Sequence, residues 1–174
     1  MTDAAAISRP SQDWKRLSAE RRLAAADAFW RDEHGGAEQA ELVAMIAQRI
    51  KFRTKSVIAL PVEKKSRYLV ALPVVSEGVA ARLIVAYHLA HQRPMMGRFL
   101  DALGIVHEEG LIADEQVEPV DKARLAEAAK TLAASSPAED VALYLSTLLW
   151  QDPETWGGLA DLPEVRRTDV PSVI

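Results

Sequence analysis

Residues 88–110, HLAHQRPMMGRFLDALGIVHEEG, contain three of the chain's four histidines. His88 and His91 are three positions apart, a spacing that on a helix brings both imidazoles to one face, about 5–6 Å apart at Cβ. Two imidazoles so placed can begin a zinc site, which needs one or two further ligands; Asp101, His107 and Glu108 are the candidates in sequence. The same stretch offers a second chemistry. Arg98 and Asp101 on the following helix would join His88 and His91 in a polar pocket for an anion or small carboxylate, with Asp101 orienting the guanidinium or an imidazole.

Chain geometry argues against the metal. Pro94 starts a new helix, and at about 1.5 Å per residue that helix carries the chain roughly 15 Å away before Gly104 closes it. His107 regains the pair only if the residues after Leu103 run fully extended, and Gly104 favours a turn instead. The reading is therefore no metal site, with His88 and His91 a structural pair near a helix C-terminus, where the dipole favours protonated rings. His88, His91, Arg98 and Asp101 stand as the candidate ligand-binding set. The plainer role for Asp101 is an exposed i, i+3 pair with Arg98.

Other catalytic chemistries lack their residues. The chain has no cysteine, which excludes disulfides, thiolate metal sites and cysteine nucleophiles. No glycine-rich phosphate cradle and no Gly-x-Ser-x-Gly elbow occurs. His107-Glu108-Glu109 lacks the second histidine of a zinc-protease helix, and the carboxylates of residues 108–121 do not follow calcium-loop spacing. No catalytic residue is assigned and no cofactor is expected. The reading leans away from an enzyme.

A second constellation is electrostatic. Arg49, Lys51, Arg53, Lys55, Lys64, Lys65 and Arg67 crowd residues 49–67 against the single carboxylate of Glu63, with Phe52 and Tyr68 interleaved. Such a face can meet phosphates or an acidic protein. Nucleic acid ranks low, because no recognition-helix signature accompanies the charges and the chain as a whole carries a net charge of −4. The charge is uneven. Residues 1–100 hold 16 Lys and Arg against 10 Asp and Glu, whereas residues 101–174 hold 5 against 15. The two halves either attract each other or face different partners.

These side chains must be positioned by helices. Aromatic residues are only 6% of the chain and alanine is abundant, a composition that favours closely packed helices. A helix is expected over Asp13–Asp32 with Ser11 as N-cap, stopped by the glycine pair after His34. A second begins near Ala37, a short turn is expected around Val57, and a third starts with Pro61 at its first position. Ser76 caps a fourth, over residues 77–92, which is apolar nearly all round and so should be central and buried. Pro94 opens a fifth, closed by Gly104. Residues 105–120 are expected to be an acidic loop. A sixth helix covers Asp121–Ala134, a seventh starts at Ser136-Pro137-Ala138-Glu139 with Ser136 as N-cap, and Asp152 caps a last short one.

The expected fold is thus all-α, a compact single-domain bundle of about seven to nine helices over residues 1–163 with an irregular tail over 164–174. Pro61 and Pro137 open similar Pro-x-Glu…Tyr-Leu helices, which is ordinary helix-start grammar rather than a clear repeat. Trp14, Trp30, Trp150 and Trp156 sit towards the two ends and suit core or interface roles. No membrane-length apolar run and no leader pattern occurs, so a cytoplasmic protein is expected. The first-ranked function is a helical binding or interaction protein with a protein partner or a second copy of itself. A metal- or small-anion-binding protein, or an enzyme, using the His88, His91 and Asp101 region ranks second, and a nucleic-acid accessory role for residues 49–67 third.

Overall fold

The computed structural model describes residues 7–113 and 117–166. Among them are ten α-helices, a 3-10 turn and one two-stranded hairpin. The fold class is all-α. The chain divides into two compact units, one of Arg9–His91 and one that contains residues 92–174.

The first unit comprises α1 (Pro10–Arg16), α2 (Ala19–Arg31), α3 (Gly36–Ile50), α4 (Thr54–Ile58), α5 (Val62–Val70) and α6 (Glu77–His91). α6 packs on α1, α2 and α3, and buries Val79, Ala80, Leu83, Ile84 and Tyr87. This is the central helix expected from its nearly unbroken apolar sequence. Ser76 starts it as expected, its Oγ accepting from the Val79 amide at 3.2 Å. α2 turns Ala25, Ala26 and Phe29 inwards and packs on both α5 and α6. Spacings of three and four residues put those side chains on one stripe.

The first expected helix proves to be two. Leu17 is extended, with φ −67° and ψ 145°, and Ser18 begins α2 by accepting from the Arg21 amide at 3.3 Å. A serine hydroxyl competes for backbone amides, which favours a new helix start over continuation of the old one. Nor is Ser11 the cap of α1. Arg9 holds that position, Pro10 follows as the first helical residue, and the Gln12 side chain accepts from the Arg9 amide at 2.9 Å. Pro61 sits at the N-cap of α5 rather than inside it.

The second unit comprises α7 (Arg93–Ala102), β1 (His107–Glu108), β2 (Leu111–Ile112), α8 (Lys122–Ser135), α9 (Ala138–Gln151) and α10 (Pro153–Trp156). Its core gathers on Phe99, whose ring meets Tyr144 edge-on at 5.7 Å and Trp156 at 6.2 Å. α9 is buried from Asp140 to Leu149. Burial also pushes the pKa of the Tyr144 phenol upwards. Asp152 caps α10 as expected, its Oδ1 accepting from the Thr155 amide at 3.2 Å. Ser136 does not cap α9, because Pro137 takes that position and Ser136 closes α8.

Residues 107–112 form a hairpin where only loop was expected. α7 ends with the Ile105 amide on the Leu100 carbonyl and the Gly104 amide on the Asp101 carbonyl, both at 3.0 Å. That double closure needs a left-handed residue, and Gly104 supplies it at φ 69°. The chain then enters an antiparallel hairpin pairing His107 with Ile112 and Glu108 with Leu111. Glu109 and Gly110, at φ 49° and 85°, make its two-residue turn. Of the irregular tail, residues 167–174 lie outside the described residues.

Candidate functional site

The hairpin lies against α7, a packing of His107 that the sequence spacing did not indicate. Gly104 closes α7 with the expected turn, and the reversed chain lays His107 along α7. Room for the imidazole comes from Gly97, where a Cβ would stand 3.1 Å from the His107 Cε1. Asp101 Oδ1 is 2.7 Å from His107 Nε2, and the Gly110 amide donates to His107 Nδ1 at 3.1 Å. A ring that accepts at Nδ1 carries its proton on Nε2, the nitrogen facing the carboxylate. Both nitrogens are therefore committed, and the imidazole clamps hairpin to helix instead of standing as a free base.

Around this clamp runs a shallow cleft of about 420 Å³, lined by Arg93, Gly97, Arg98, Asp101, His107 and Glu109. Its cations are already occupied. Arg93 Nη1 lies 3.8 Å from the Glu109 carboxylate, and Arg98 Nη2 donates to Ser136 Oγ at 2.9 Å. Arg98 does not pair with Asp101, which has turned to His107. An incoming anion would have to displace an internal acceptor at each arginine.

The structure brings Arg98 and Asp101 together in this cleft of the second unit, while His88 and His91 belong to α6 of the first. The two histidines share a helix and differ in burial: His88 is buried and His91 exposed. The Tyr87 ring lies 6.0 Å from the first and 5.5 Å from the second. Among the described residues, no group of three His, Asp or Glu side chains is placed to share a metal ion.

The basic segment runs from the end of α3 through α4 into α5. Arg49, Lys51, Arg53, Lys55, Lys64 and Arg67 are exposed, with no ion-pair partner among the described residues. Glu63, the segment's one carboxylate, is drawn off to Arg31 at 3.7 Å. Lys65 behaves differently. Its ammonium lies 4.9 Å from the centre of the Trp30 ring, a cation–π contact that fixes the base of α5 to α2. Phe52 and Ile58 are exposed at 50% and 60% of their surfaces, while Val57 between them is fully buried and anchors α4. Free cations and two large apolar side chains therefore share one short segment.

A further feature escaped the sequence reading. Arg22 lies on the inward stripe of α2, at the i position before Ala25, Ala26 and Phe29. The spacing was visible in the sequence, and a cation at such a position calls for a partner. Its Nε is shielded from water and has no acceptor, an omission that typically costs about 1–3 kcal/mol. The side chain lines a cleft of about 280 Å³ with Trp14, Lys15, Leu72, Val75 and Ser76. At its edge Glu77 receives the Ser11 amide at 3.0 Å and the Ser11 hydroxyl, and those bonds hold its carboxyl below the usual range. No protein-family model matches the chain, and comparisons with curated proteins and with solved structures likewise find no match.

Proposed function

We propose that the protein is a binding protein without a catalytic centre, and that residues 49–67 of its first unit dock an acidic protein partner. The observation that carries this reading is the pairing of six unneutralised cations with exposed Phe52 and Ile58 in one segment. Charges steer a partner and set orientation, whereas affinity comes mainly from apolar side chains that the partner covers. A phosphate backbone would use the cations and leave the two apolar side chains wet. An acidic protein surface with an apolar centre uses both. The clamped state of His107 supports the absence of catalysis in the α7 cleft, since neither ring nitrogen is available to a substrate.

The test uses a fluorescent peptide rich in Asp and Glu and carrying two Leu anchors. It should bind saturably. Joint Lys51→Glu and Lys55→Glu substitution should weaken it at least tenfold, and Phe52→Ser should weaken it comparably with little effect on stability. A polyglutamate of equal charge should bind more weakly than the anchored peptide. Tight binding of mixed-sequence duplex DNA or of anionic lipid vesicles, insensitive to Phe52→Ser, would replace the proposed partner with another polyanion.

A further inference from the structure

We infer that the Arg22 cleft of the first unit binds a small monocarboxylate with a compact apolar body. The guanidinium of arginine is charged at every physiological pH and offers five N–H donors in a planar fork that matches a carboxylate. Among the described residues, the other arginines meet an acceptor or stand in open solvent: Arg9, Arg31, Arg82, Arg93 and Arg166 lie beside carboxylates, and Arg124 donates to the Leu103 carbonyl at 2.6 Å. Arg22 has its Nε sealed from water with no acceptor. Arg22 also lines the cleft, and among the described residues no carboxylate pairs with its guanidinium, so an anion entering the cleft meets an unopposed cation.

The rest of the cleft specifies the body of the ligand. Trp14 is 4% and Val75 6% exposed, and with Leu72 and Pro73 they make one apolar wall. A volume of about 280 Å³ holds one ring or a short aliphatic chain; it is at the small end of ligand cavities. Ser76 Oγ already accepts from the Val79 amide, so its hydroxyl proton is free to donate. Lys15, exposed at the mouth, adds a second positive charge. Glu77 also borders the cleft, but its oxygens face Ser11, and Arg9 lies 4.0 Å from it. The potential at the opening is therefore positive. A cation beside an apolar wall selects an amphipathic anion over an amine of the same shape or a bare inorganic ion.

Titration calorimetry and the Trp14 indole N–H resonance of the full chain, with phenylacetate and hexanoate as probes, test the site. At least one acid should bind saturably and shift that resonance. Acetate should bind at least tenfold more weakly, and 2-phenylethylamine should not bind. Arg22→Gln should reduce affinity for the acid at least tenfold. If that variant fails to fold, Val74→Glu decides: Val74 is 61% exposed at the rim, so a carboxylate there should repel the ligand and leave the thermal midpoint unchanged. The inference is overturned if neither acid saturates at millimolar concentration, if the amine binds as well as the acid, or if the decisive variant binds like the parent.

Discussion

At Lys51 the chain leaves α3 with φ 57° and ψ 39°, and the Phe52 amide closes on the Ala47 carbonyl at 2.9 Å. Glycine is the usual residue for that left-handed closure, since a side chain there costs about 1 kcal/mol in backbone strain. The strain is kept at a residue that the proposed binding face needs for its charge. Lys51→Gly should therefore raise the unfolding free energy read from urea titration, by up to about 1 kcal/mol less the extra freedom glycine gains when unfolded, and weaken binding of the acidic peptide. A variant that is no more stable, or that binds undiminished, would separate the conformation from the function. Side-chain pairings of this kind were only partly legible. The types that matter, Asp101, Arg98 and His107, were all visible in the sequence. Asp101 faces His107 rather than Arg98, because the hairpin after Gly104 folds back on α7, which spacing alone does not disclose.

The helices were legible where sequence and packing agree. α6 reads as central because its apolar residues surround it, and the starts at Ser76 and Asp152 follow from short polar side chains that reach backbone amides. The missed features are short. α1 and α2 share a continuous stripe, so a break of two residues at Leu17 and Ser18 leaves little trace in periodicity. The hairpin has strands of two residues each, too few to show alternation, and its one signal was Gly110 after Glu109. That glycine has a large predicted role. At φ 85° an added Cβ would be strained and would meet Met96 Cβ at 2.8 Å and the Arg93 carbonyl at 2.9 Å. Gly110→Ala should cost roughly 1–3 kcal/mol and release the hairpin, seen as loss of amide protection around residues 107–112. Gly78, in the first turn of α6 with nothing within 4 Å, is the control. There alanine should be neutral or stabilising by up to about 1 kcal/mol.

At the level of the whole chain the net charge of −4 conceals two opposed bodies. Residues 9–91 carry 14 Lys and Arg against 9 Asp and Glu, a net of +5, and the remaining residues carry 7 against 16, a net of −9. Two copies can therefore attract, the basic unit of one towards the acidic unit of another. The reach of that attraction is set by salt: the screening length is about 30 Å at 0.01 M and about 8 Å at 0.15 M. Sedimentation at 0.01 M salt should show self-association that grows with protein concentration. It should fade at 0.15 M and be suppressed by joint Lys51→Glu and Lys55→Glu substitution, which moves the basic unit from +5 to +1. Phe52→Ser should leave it nearly unchanged, in contrast to its effect on the anchored peptide, because long-range attraction between whole units does not require the apolar contacts that a specific partner must cover. Self-association that persists at 0.5 M salt and disappears with Phe52→Ser would identify a second copy of this chain, rather than an acidic protein, as the occupant of the segment around Phe52 and Ile58.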